Sequence, residues 1–446
     1  MTASQAWKFV TLADVGTVVT GNTPPTKELH YYGNDIPFVK PTELIDRPIQ
    51  TAPQMLSHAG AEVARKVPAG AVLVSCIGNL GKTGIARVPV SLNQQINAIV
   101  FRNEVLPEFG FYYAQTLKRW LHGQSSATTI PIVNKGKFQQ APFPLAPLED
   151  QHRIVAEIEK QFSRLDEAVA GLQRVKANLK RYKAAVLKSA VTGRLVPTEA
   201  DLGRREGRNH ESGAQLLHRI LETRRSQWQG KGKYKEPTAP DTTDLPELPE
   251  GWVWSNLATA AARVTVGHVG PMKDEYVDCG IPFLRSQNVR PNRYDAEGLK
   301  FISAEFHQRL GKSALHPGDI VVVRSGSVGV SCVIPESLPE ANCSDLVIVK
   351  GPQGVLPAFG AYYLNSVVES RIAAGKVGVA LVHFNTQSVA ELPLPVPPLA
   401  EQHRIVAEVD RLLSIARETE AEVEANLKRA KGLRQAILGK AFTPAD

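Results

Sequence analysis

One run of residues occurs twice in this chain. Gln151-His152-Arg153-Ile154-Val155-Ala156-Glu157-Ile158 returns as Gln402-His403-Arg404-Ile405-Val406-Ala407-Glu408-Val409, an offset of 402 − 151 = 251 residues. A repeat at this spacing in 446 residues marks two copies of one structural unit, and every other segment is read in that light. The matches continue outside the run. Trp7-Lys8-Phe9-Val10-Thr11-Leu12 answers Trp252-Val253-Trp254-Ser255-Asn256-Leu257, and Ile36-Pro37-Phe38-Val39-Lys40 answers Ile281-Pro282-Phe283-Leu284-Arg285. Gly70–Ser75 answers Gly318–Val323, and Val105–Gly110 answers Val355–Gly360. The offset drifts from 252 − 7 = 245 to 251, as short insertions in connecting loops produce.

Each copy has two parts. The first part, about residues 5–147 and 250–398, carries short β-rich runs (Ala71–Ile77, Ile320–Arg324) between Gly, Pro and Asn turns. It also has one helical segment, Phe109–Leu121 in the first copy and Phe359–Ala374 in the second, so each head reads as a compact α+β domain. The second part is a long helix. Pro147-Leu148-Glu149-Asp150 and Pro398-Leu399-Ala400-Glu401 place proline and acids at its start, where no hydrogen bond is lost and carboxylates meet the positive end of the dipole.

Alternate steps of 4 and 3 along these helices trace an apolar seam. In the first copy it is Ile154, Ile158, Gln161, Leu165, Ala168, Leu172, Val175, Leu179, Tyr182 and Val186. In the second it is Ile405, Val409, Leu412, Ala416, Thr419, Val423, Asn426, Ala430, Leu433 and Ile437. This is the pattern of a two-stranded coiled coil, with Gln161 and Asn426 as polar register-setting positions. The expected domains are a head at 1–147, a helix at 148–192, a linker with one short helix (Ala214–Trp228) at 193–249, a second head at 250–397 and a second helix at 398–446. A seam from 154 to 186 spans about 48 Å at 1.5 Å per residue. Antiparallel pairing keeps the linker path short and predicts a spacer with one head at each end, related by a pseudo-two-fold axis. B-DNA repeats every ~34 Å, so such a spacer suits two sites about a turn apart.

Composition narrows the class. Hydrophobic content of 43% and charged content of 22% fit a globular protein, and the net charge of +8 leans toward polyanionic partners. No run of about 20 apolar residues occurs, and Met1–Lys8 lacks a basic region followed by an apolar one, so neither a membrane span nor a signal peptide is expected. Cys76, Cys279, Cys332 and Cys343 show no C-x-x-C or zinc spacing and read as buried apolar residues in a reducing compartment.

Catalytic motifs fail on spacing. Gly78-Asn79-Leu80-Gly81-Lys82-Thr83 imitates a phosphate loop, but Cys76 stands where its first glycine belongs, and the second copy has Ser325-Gly326-Ser327-Val328-Gly329-Val330 with no lysine. A β-turn with a basic tip is the expectation. Neither Thr23-Pro24-Pro25-Thr26 nor Val396-Pro397-Pro398-Leu399 fits the base-gripping run of an adenine methyltransferase, and no nuclease spacing of acids and lysine follows Pro240-Asp241. His152 and His403 read as helix-terminal residues, and no metal site or catalytic residue is expected. The loop tips instead offer side chains that read base edges and hold phosphates. These are Asn22, Thr23, Lys40, Asn79, Lys82, Thr83, Lys135 and Lys137 in the first head, and Arg285, Gln287, Asn288, Arg324, Ser325 and Gln387 in the second.

Longer signatures carry a family resemblance. They are Leu12-Ala13-Asp14-Val15 through Gly21-Asn22-Thr23-Pro24, Gly33-Asn34-Asp35-Ile36-Pro37-Phe38-Val39-Lys40, and Leu394-Pro395-Val396-Pro397-Pro398-Leu399-Ala400-Glu401-Gln402. The linker stretch Gly232–Pro237 through Asp244–Trp252 belongs with them. Together they resemble the specificity (S) subunit of type I restriction–modification systems, the HsdS family. The first copy departs from the pattern, with Pro142-Phe143-Pro144-Leu145-Ala146-Pro147 before its helix.

The resemblance implies two target recognition domains, each reading half of a bipartite double-stranded DNA sequence. It implies a helical spacer that docks two methyltransferase (M) subunits. AdoMet, ATP and Mg belong to the M and restriction (R) subunits, not to this cytoplasmic, non-catalytic chain. A related type II specificity subunit with a fused methylase–nuclease partner, and a coiled-coil scaffold that ignores DNA, are the alternative readings.

Overall fold

The computed structural model describes residues 7–125, 130–229, 232–373 and 385–443. Met1–Ala6, most of the N-terminal stretch in which no signal peptide is expected, and Ala374, the last residue of an expected helix, lie outside the described residues. The chain divides into two compact units: residues 1–174 with 423–446, and residues 175–422. Each unit holds one α+β head, the start of the long helix that leaves that head, and the end of the other long helix.

The two heads share a framework. In the first, a sheet runs in the order Gly16–Thr20, Ile96–Phe101, Val72–Ser75, Thr83–Ala86, Arg47–Ile49. In the second the order is Ala261–Val266, Leu346–Pro352, Ile320–Val323, Ser331–Val333. Strand for strand these are repeat equivalents; the first head adds one edge strand. A smaller sheet in each head pairs the Ile-Pro-Phe strand, Tyr32–Val39 or Ile281–Leu284, with a parallel neighbour, Val90–Leu92 or Asn342–Cys343. A third ribbon closes each head. Lys8–Thr11 pairs with Pro142–Leu145, and Val253–Asn256 pairs with Pro393–Val396, so the first strand of a head lies against the strand that feeds its long helix. The central strands read as continuous apolar runs because both faces are buried; Val72–Val74 and Val321–Val323 are fully inaccessible.

The long helices are Leu148–Val191 and Leu399–Ala441, starting 399 − 148 = 251 residues apart despite the irregular proline run ahead of the first. In the first unit Arg434 pairs with Asp166 at 2.9 Å and covers the Phe162 ring, while Phe442, just past the end of the second helix, reaches Phe109 of the head. In the second unit Lys183 pairs with Glu420 at 2.8 Å, and Val186, Leu187, Ala190 and Val191 share a core with Ile405, Val409 and Leu413. In each unit the two helical segments therefore run antiparallel.

The buried stripe departs from the heptad reading. Ile154, Ile158, Val186, Ile405, Val409 and Val423 are buried. Leu165, Leu172, Leu179, Leu412 and Ile437 are half-buried, and Tyr182 and Leu433 are exposed. Phe162 takes the position expected of Gln161. Gln161 instead donates to Glu157 at 2.8 Å along its own helix, and Asn426 is exposed beside Arg429, so neither sets register. The physical reason is that the helix ends pack on a head as well as on the partner helix. Steps of four (154, 158, 162 and 405, 409, 413) follow the 3.6 period of a straight helix on a globular surface.

Three further expectations change. The 193–249 stretch holds two helices, Glu199–Glu206 and Gly213–Ser226, not one. The first is capped by the Thr198 hydroxyl and ended by Gly207 at φ +63°, and Leu216 and Ile220 of the second are buried in the core of the second unit. The Phe109–Leu121 helix is broken into Pro107–Ala114 and Lys118–Gln124, where the Thr116 hydroxyl bonds the Tyr113 carbonyl at 2.7 Å. Cys279 is exposed; Cys76, Cys332 and Cys343 are buried.

Candidate nucleic-acid interface

In the first head, antiparallel pairing fixes which loops meet. Thr20 faces Asn97, Ile96 faces Ser75 and Val74 faces Thr83, while Arg47 starts a strand parallel to the one at Gly84. The loops 21–23, 92–95, 76–82 and 40–46 therefore crowd one end of one sheet. Residues 131–137 join them, because Ile77 bridges Ile132 and Val133 donates to the Cys76 carbonyl at 2.9 Å. Topology thus gathers Asn22, Thr23, Lys40, Asn79, Lys82, Lys135 and Lys137, residues up to 115 positions apart (137 − 22), at one edge.

Their roles differ. Asn22 is a loop clamp: its amide donates to the Val63 carbonyl at 3.0 Å and its oxygen accepts from the Arg65 backbone at 2.7 Å. Thr23 bonds Gln94 and accepts from Asn93 at 3.1 Å, which brings two amide side chains to the same edge. Neither Asn93 nor Gln94 stood out in the sequence, because only their pairing with Thr23 puts them there. Asn79 and Lys135 are exposed, and Lys40, Lys82 and Lys137 are half-exposed, with the Lys137 ammonium on the Gln124 carbonyl at 2.9 Å. Thr83 is a correction. It is fully buried, and both its hydroxyl (2.7 Å) and its amide (3.1 Å) bond Asp46, so it ties the 40–46 loop to the hairpin instead of facing outward.

The Gly78–Thr83 stretch is a hairpin turn with Gly78 at φ +75° and Gly81 at φ +78°. The amides a phosphate would need are spent internally: Gly81 donates to the Ser75 carbonyl and Lys82 to the Ser75 hydroxyl, each at 2.9 Å. A strand, not a helix, follows. The geometry rules out a phosphate loop.

The second head has the same edge with other side chains. Val266 faces Val347 and Val323 faces Leu346, so the 267–270, 343–345 and 324–330 loops meet, and Ser344 donates to the Leu284 carbonyl beside Arg285. Asp345 organises the tip: Arg324 lies 3.5 Å from it and the Ser325 hydroxyl donates to it at 2.7 Å. Arg285 and Gln287 both donate to the Gly298 carbonyl, at 2.8 and 3.2 Å. Asn288 is the second correction. It is fully buried and holds its own loop, accepting from the Arg285 backbone and donating to the Asp295 and Glu297 carbonyls. Gln387 lies in the short helix capped by Asn385, the repeat equivalent of the Asn134-capped helix of Lys135 and Lys137, and donates to Glu391 at 2.9 Å.

The repeated helix start has a different task. Gln151 is fully buried. It accepts from the Leu106 amide at 2.7 Å and donates to the Glu104 and Ala146 carbonyls at 2.9 and 2.8 Å. Gln402 makes the same three bonds to Leu356, Gly354 and Pro397 at 2.8, 2.9 and 3.0 Å. The neighbouring histidines, His152 and His403, are exposed. Trp7 stands edge-on to Phe109 and Trp252 to Phe359, at 6.4 and 6.2 Å. Tyr112 bonds Glu159 and Tyr362 bonds Asp410, and burial, then the carboxylate, pushes each phenol up, Tyr112 to about 12. These contacts weld each head to its helix. The glutamine was the signal sequence reading missed, although it opens the repeated run.

Among the described residues no cluster of three His, Cys, Asp or Glu side chains could hold a metal, and no helix is long and apolar enough to cross a membrane.

Residues 4–176 and 271–429 match the model of the type I restriction modification DNA specificity domain. The chain is 23% identical over 452 residues to the EcoBI specificity subunit of Escherichia coli, covering 98% of this chain and 85% of that one. It is 22% identical to the EcoKI specificity subunit of Escherichia coli K12, covering 98% and 89%. A chain in a structure addressing assembly and conformational transition of the type I R-M system has the same fold, with TM-score 0.66, 20% identity and 98% and 97% coverage. The HsdS subunit from Thermoanaerobacter tengcongensis superposes with TM-score 0.53, 19% identity and 98% and 96% coverage.

Proposed function

This chain belongs to the type I restriction modification DNA specificity family, and from that premise we propose that it is the specificity subunit of such a complex, with each head reading one half of a bipartite duplex sequence. One observation carries the reading: repeat-equivalent edges of two matching sheets present different polar sets. The first edge is lysine- and amide-rich (Lys40, Asn79, Lys82, Lys135), and the second presents arginines held by Asp345 and Gly298. A tethered arginine suits bidentate contact with a guanine edge, and flexible lysines suit phosphates.

The half-exposed stretch of the long helices suits docking of two M subunits, the partners that would carry AdoMet, while R subunits would add ATP- and Mg-dependent cleavage. The chain itself then contributes recognition and no catalytic group, and it works in the cytoplasm. Exchange of residues 1–147 for another head, followed by methylome sequencing of the host, tests this. One half of the methylated motif changes and the other persists. An unchanged motif refutes the reading.

A further inference from the structure

The repeat allows one half of the molecule to report what the other half lacks. In the first unit a groove of about 840 Å³ runs between the head's first strand and the two helical segments, lined by Trp7, Asp150, Arg153, Ile154, Ile437 and Ala441 among others. The repeat equivalents of these six, in order, are Trp252, Glu401, Arg404, Ile405, Val186 and Ala190. In the second unit that same place is covered. Leu195 and Val196 pack against the core that holds Val186, Ala190, Trp252 and Ile405. The Glu199 amide donates to Glu401 at 2.8 Å, and the Glu199 carboxylate meets Arg404 at 2.6 Å. Arg404 also bonds the Pro197 carbonyl at 3.3 Å. The cover is thus an adjacent apolar pair, a proline, and the opening of a helix whose carboxylate takes the arginine.

In the first unit no described residue plays this part. The arginine side chain is 73% exposed at Arg153 against 32% at Arg404, and the acid at Asp150 is 26% exposed against full burial at Glu401. Arg153 pairs with Asp150, one turn away on its own helix, at 2.9 Å. Floor, arginine and acid are all in place, and among the described residues nothing supplies the strap.

We propose that this groove is a docking site for a partner polypeptide, and that the docking segment has the chemistry of residues 195–201: two adjacent apolar side chains, then within about four residues a helix N-terminus bearing a carboxylate. The apolar pair fills the floor beside Trp7 and Ile437. The carboxylate pairs with Arg153, and the first helical amide donates to Asp150. None of this depends on how the heads read DNA.

The probe is a capped synthetic peptide of residues 193–208, labelled and titrated into the full chain by fluorescence anisotropy. It binds saturably with one peptide per chain, and Arg153→Glu, a change at an exposed side chain, weakens it about tenfold or more. A peptide carrying Glu199→Lys reverses the preference, favouring the Arg153→Glu chain over the wild type. No saturable binding, binding indifferent to Arg153→Glu, or no reversal with the swapped peptide each overturns the proposal. Binding that emerges only after deletion of residues 1–6 assigns the groove to the chain's own N-terminal segment. Self-association of the wild type that Arg153→Glu abolishes assigns it to a second copy. Either result also overturns the proposal.

Discussion

Replacing Gln151 with alanine removes three hydrogen bonds, of 2.7, 2.9 and 2.8 Å, from a fully buried site. At about 1 kcal/mol per bond the direct loss is ~3 kcal/mol. The Leu106 amide and the Glu104 and Ala146 carbonyls are left facing a hole, so the total is about 3–5 kcal/mol. Gln402→Ala, which removes the same three bonds in the second unit, costs a similar amount. Gln151→Glu separates hydrogen bonding from volume. The new carboxylate still accepts from Leu106, but it points charge at two carbonyls and donates nothing. It is therefore at least as damaging as alanine at pH 7. Its folded-state pKa is raised above the ordinary ~4.3, so its stability deficit shrinks as pH falls toward that value and the group takes up a proton. Urea unfolding measures the total, and hydrogen exchange at the Leu106 amide measures the local release. A loss under about 1 kcal/mol for Gln151→Ala, or wild-type stability for Gln151→Glu at pH 7, refutes the claim that this glutamine locks the head to its helix.

Arg404→Ala leaves the buried Glu199 with Arg208 alone and lowers stability in urea by about 1–3 kcal/mol at pH 7. Burial raises the Glu199 carboxyl, but its bonds to Arg208 and Arg404 outweigh that and hold it below the usual range. The stability it confers is therefore present above the ordinary carboxylate pKa and lost as pH falls through the lower folded value, and the gap between wild type and Arg404→Ala narrows in acid. Lys82→Ala weakens DNA binding almost equally for all sequences and lowers the log–log salt slope by about 1, whereas Arg324→Ala relaxes the motif at one position of one half-site; filter binding over a salt series and methylome sequencing separate the two. A thiol reagent titrates Cys279 rapidly in the native chain and all four cysteines in denaturant, because burial pushes Cys76 and Cys332 up to about 12 and Cys343 higher still.

The two-copy plan and the head-then-helix order were legible because repetition and helical periodicity are one-dimensional signals, and the antiparallel run of the helices because the linker path between them has to be short. The loop edge was half legible. Asn, Lys and Arg at turns can be picked out, but whether each faces outward depends on a partner far along the chain. Thr83 and Asn288 looked like reading residues and are buried, one by Asp46 at a separation of 83 − 46 = 37 residues and the other by the 295–297 loop. Gln94 was invisible for the same reason. The linker helix at 199–206 was missed because it is short and its start is held by Glu401 and Arg404 of the second long helix, 202 and 205 residues further along the chain.

What the two copies keep and what they change follows from what each residue touches. Gln151 and Gln402, Trp7–Phe109 and Trp252–Phe359, and Tyr112–Glu159 and Tyr362–Asp410 agree because each partner is inside the same copy, and at the two fully buried glutamines a change strands buried amides and carbonyls. The edge residues are free of that constraint. Lys82 has its backbone amide fixed by Ser75 while its side chain is half-exposed, so the turn survives any side chain there. The equivalent turn in the second head holds through its own Ser325–Asp345 bond. A framework secured by internal bonds can therefore exchange its outward tips at little cost in stability. A doubled reader needs this arrangement if its two faces are to recognise different sequences while both helices keep the same hold on their heads.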